Sequence, residues 1–122
     1  MKFSLALALI LTTGPGFAET SAGVAHLSDS AAKERPLALS IWYPSDVQAS
    51  TTIGGNAVFQ GALAAPDAPL PAAPLPLVVV SHGGLRSAAD SGAWLSSSIA
   101  RAGFIVAEVN ASRPENATVA LN

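Results

Sequence analysis

Apolar positions along this chain fall into three kinds of pattern. Leu37, Leu39, Ile41 and Tyr43 alternate with Ala38, Ser40 and Trp42, between Pro36 and Pro44. A period of two puts the first set on one face of a β-strand. Proline suits strand ends better than central ladders. Leu77-Val78-Val79-Val80 does not alternate. An unbroken run of branched apolar residues predicts a strand buried on both faces, as in the centre of a parallel sheet. Across residues 87–102, Ala88, Gly92, Leu95, Ile99 and Ala102 recur at helical spacing. They predict an amphipathic helix, capped by Ser87 or Asp90, with Arg101 near its carboxyl end and Gly103 as its stop. Residues 104–109 read as another short strand. Strand, helix and strand together predict a βαβ unit with parallel strands.

The remaining pattern is weaker. Residues 23–27 read as a short edge strand and residues 28–35 as a turn. Residues 45–76 are rich in Ala, Pro, Gly and Thr, with a short strand expected at 57–61. Residues 57–76 as a whole are loop- or linker-like, and the proline spacing of 64–76 argues against a regular ladder. Loops of this length are uncommon within a compact domain, and those that occur are functional or flexible.

Composition divides the chain in two. Met1-Lys2, the apolar run 3–11, the break Thr12-Thr13-Gly14-Pro15 and the small Ala18 have the order of a secretory signal peptide. Residues 1–18 are therefore expected to be removed near Ala18, leaving 19–122 as an exported, periplasmic or secreted domain. The run is too short for a stable membrane anchor. The chain has no cysteine, so it has neither disulfides nor thiolate metal sites. The formal charge is −2 with no basic cluster, which excludes an electrostatic basis for nucleic-acid binding. Asn110-Ala111-Ser112 and Asn116-Ala117-Thr118 match the N-glycosylation pattern, a short motif that arises by chance unless the host glycosylates.

Candidate chemistry sits where the apolar run ends, at Ser81-His82-Gly83-Gly84-Leu85. Glycines after a strand permit a tight turn that can aim backbone N–H groups into a cleft. Such donors stabilise the oxyanion of acyl transfer. A phosphate loop is the poorer reading, since the Lys-Ser/Thr of a P-loop and a full Gly-x-Gly-x-x-Gly are both absent. Trp42 and Tyr43 are candidates to line a pocket, with simple packing as the alternative. His26 has no neighbouring partners in sequence that would make it a metal ligand or a base.

Pro76 to Gly84, then Trp94-Leu95, then Ile99-Ala100-Arg101-Ala102-Gly103-Phe104-Ile105-Val106-Ala107, resembles the amino-terminal half of an α/β-hydrolase. The similarity is closest to predicted dienelactone hydrolases and platelet-activating-factor-acetylhydrolase-like esterases. Arg35-Pro36-Leu37 through Trp42-Tyr43-Pro44 resembles an early segment of that branch. The resemblance implies an α/β fold with early antiparallel strands and one βαβ unit. It implies a serine hydrolase of carboxyl, lipid or lactone esters that needs no cofactor or metal. It makes the Gly84 N–H one oxyanion donor, on a loop shaped by His82, Gly83 and Leu85. The Gly-x-Ser-x-Gly elbow that should carry the nucleophile is absent, and so are an acid and a base following it. The triad is therefore expected beyond Asn122, in a longer protein of which this is a part. In that case the strand at 104–109 would be left as an exposed edge. The alternative is a small secreted, non-catalytic binding or structural module built from the same strands.

Overall fold

The computed structural model describes residues 20–29, 37–81 and 91–111. Within them the chain runs β1 (Ser21–Asp29), β2 (Leu37–Ser45), β3 (Thr51–Ile53), β4 (Ala62–Pro66), β5 (Leu77–Ser81), α1 (Ala93–Arg101) and β6 (Ile105–Ala111). The six described strands form one mixed sheet in the order β3-β4-β1-β2-β6-β5. Residues 1–19, 30–36, 82–90 and 112–122 lie outside the described residues, and with them the segment read as a signal peptide, His82-Gly83-Gly84-Leu85 and the expected helix caps Ser87 and Asp90.

The period-two stretch is a strand as expected, and β2 pairs antiparallel with both β1 and β6. The βαβ unit is also present: β5 and β6 are parallel, with Leu77 opposite Ile105 and Ser81 opposite Val109. Gly103 ends α1 with φ of +101°, a conformation that costs a residue without a Cβ little.

Several expectations are corrected. β1 is a long internal strand, not a short edge. β4 lies parallel to it through Gly23–Ala65 and Val24–Pro66, and the Asp67 N–H donates to the Val24 carbonyl. Residues 64–66, expected in an irregular linker, thus join the ladder. Pro66 ends the strand, where its missing N–H matters least. Residues 57–61 are not a strand, because the Asn56 side chain accepts from the N–H groups of both Val58 and Phe59, at 2.8 and 2.9 Å. That local bonding turns the backbone before it can extend.

The apolar run that becomes β5 is not a doubly buried central strand. It pairs with β6 alone among the described strands, and Leu77 and Val79 are each 62% exposed. Val78 and Val80 pack against the core on the opposite face. The expected edge at 104–109 is instead internal, because β6 sits between β2 and β5.

α1 covers one face only. Its buried positions are Ala93, Ser96, Ser97 and Ala100. This stripe is displaced from the expected one, and Leu95 is exposed. Small side chains let the helix backbone lie close over Trp42, whose indole fills the space between helix and sheet. Tyr43 points to the other face. There its ring lies over Gly23, and its hydroxyl donates to the Ala68 carbonyl at 2.6 Å. A Cβ on Gly23 would fall on that ring. Gly23→Ala is therefore expected to lower the unfolding free energy by about 1–3 kcal/mol through overpacking. Urea denaturation followed by tryptophan fluorescence measures it, and an unchanged midpoint would contradict the packing described.

Candidate functional site

β5 and β6 run parallel, so the carboxyl end of β5 and the amino end of α1 lie on one side of the sheet. That is where open α/β sheets place ligand sites. His82, Gly83, Gly84 and Leu85, which follow Ser81 directly, lie outside the described residues. The structure does describe what holds the return of the chain at Ser91 and Gly92.

That anchor is Glu108, in the middle of β6 and completely buried. Its Oε1 accepts the Gly92 N–H at 3.0 Å. Its Oε2 accepts the Trp42 indole N–H at 3.2 Å and the Ser96 hydroxyl at 3.1 Å. Ser40 lies opposite Glu108 on β2, and the adjacent Asn110 side chain donates to the Ser40 hydroxyl at 2.8 Å. A polar belt therefore crosses an apolar interface. Burying a carboxylate in such a place is tolerable only because donors reach both of its oxygens. Those bonds commit the carboxylate to holding strands and helix together.

This network was not anticipated, although the sequence carried a signal for it. Glu108 interrupts Ile105-Val106-Ala107-Glu108-Val109 two residues after Val106. In a strand the two share a face. A charged residue on the same face as a core valine demands donors.

The remaining candidates are dispersed. Trp42 and Tyr43 are both buried, on opposite faces, with their polar atoms bonded to Glu108 and Ala68. Neither lines either of two surface cavities that the described residues form. One, of about 410 Å³, lies between Pro44, Val47 and the proline-rich residues 69–71. The other, of about 370 Å³, is flanked by Ser21, Asp46, Gln48 and Arg101. His26 is on an exposed stretch of β1. No cluster of potential metal ligands occurs among the described residues. Ser96 and Ser97 are buried under α1, while the exposed Ser98 donates back to the Trp94 carbonyl. None is presented as a nucleophile. Asn110 is buried in the polar belt, so the first glycosylation pattern has no accessible acceptor in this fold.

No protein-family model and no curated protein matches the chain. Among solved structures it is similar to a ferulic acid esterase from Streptomyces cinnamoneus, with a TM-score of 0.53 and 22% identity. The match covers 82% of this chain and 36% of that one, so the chain spans little more than a third of that esterase. At this identity the likeness is one of fold alone.

Two expectations follow from the bonding. Glu108→Ala leaves the indole, hydroxyl and amide donors without this acceptor, and should cost about 3 kcal/mol or more. Glu108→Gln keeps one carbonyl oxygen but turns an amide NH₂ towards another donor, so its loss should be smaller but still clear. Paired urea titrations would show this order, and equal stability of wild type and both variants would refute the network.

The second expectation concerns Tyr43, the single tyrosine of the chain. Burial, and secondarily the Asp67 carboxylate, raise its phenol pKa above the ordinary value of about 10. The folded state therefore keeps a proton that the unfolded state releases. The associated stability is complete below about pH 10 and is lost as pH rises through the raised folded value. Ultraviolet titration of the phenolate should show late ionisation. Tyr43→Phe should flatten the alkaline fall in melting temperature, and phenolate formation at the ordinary pH would disprove the shift.

Proposed function

We propose that this chain is the amino-terminal part of an exported serine ester hydrolase of the α/β-hydrolase type. On this reading it is nearest to dienelactone-hydrolase-like and platelet-activating-factor-acetylhydrolase-like esterases. The substrate is a small-molecule carboxyl, lipid or lactone ester. The observation that carries the reading is the β5–α1–β6 unit. β5 ends at Ser81, so His82-Gly83-Gly84 begins at the carboxyl end of a strand in a parallel pair. The likeness in fold to an esterase supports it.

In this reading the Gly84 N–H donates to the carbonyl oxygen as charge develops on it, and His82 shapes the loop. Removing such a donor costs about 10²–10³ in kcat. A second donor comes from the residue after the nucleophile in this class of site. The nucleophile, the acid and the base belong to sequence beyond Asn122. The order of charged, apolar and small residues across 1–18 supports export, with cleavage near Ala18.

The test is hydrolysis of a short-chain p-nitrophenyl ester. The chain alone should show no turnover above buffer. A protein extended by whatever its gene encodes next should contain Gly-x-Ser-x-Gly and turn over the ester. Replacing that serine with alanine should then abolish activity. Robust turnover by the 122 residues alone would overturn the proposal by placing a nucleophile within them.

A further inference from the structure

We draw no further inference here: the strongest candidate, the apolar sheet face opposite α1 on which Leu27, Leu77 and Val79 are more than half exposed among the described residues, carries nothing because nothing in the structure shows what covers it.

Discussion

The structure depends on one carboxylate. α1 is nine residues long, a length that is marginal for an isolated helix. Its N-cap position is Gly92, with no side-chain cap and no acidic residue in the first turn. The usual local devices for satisfying the helix amino end are thus missing. Glu108 supplies one from another element, as an acceptor for the Gly92 N–H. The same carboxylate fixes the Trp42 indole, and Trp42 fills the space under the helix. One side chain therefore sets where α1 begins and how it lies on β2 and β6.

That anchoring makes the two faces of the sheet unequal. Under α1 the core consists of Trp42, Val24, Val106 and small alanines, with the polar belt running through it. On the other face, among the described residues, only the cluster of Tyr43, Ala65 and Ala68 packs on the cross-strand rows, against Ala25, Ile41 and Ile105. Apolar content alone does not decide burial. An alternating strand and an unbroken apolar strand both need a second layer, and here only one face receives it from the described residues.

This accounts for what was and was not legible in the sequence. β2, β5, β6 and the parallel pairing could be read because strand periodicity and a helix stop are local properties. Gly103 needed nothing beyond its own backbone. β4 could not be read, because Ala62 to Pro66 looks like the linker that follows it. It becomes a strand only through β1, which is forty residues earlier in places, as in the Gly23–Ala65 pair. Of the expected helix face, Ile99 does pack against the core, whereas Leu95 is exposed. The interface selects small residues, because the bulk comes from Trp42. The valine run in β5 signalled burial on both faces, yet hydrophobicity says what a face can bury, not what is there to bury it. Of the candidate site, the position of the turn after Ser81 was legible. Its anchor was not, because it joins residues 16 apart at one contact and 66 apart at another.

The chemistry follows the same division between local and distant. An acyl-transfer site needs oxyanion donors, a nucleophile and a proton acceptor within a few ångströms of one reacting carbon. A contiguous βαβ unit can present backbone donors, since its glycine turn is encoded in adjacent residues. The described residues group no base with the end of β5: His26 is on an exposed stretch of β1, and both oxygens of Glu108 already accept structural hydrogen bonds. If Glu108 were freed to act as a base, α1 would lose its amino-terminal acceptor and Trp42 its partner. The group best buried for proton transfer is thus the one the fold can least spare. That conflict assigns the polar belt to architecture, and it leaves the proposed ester chemistry to depend on a serine, an acid and a base from elsewhere.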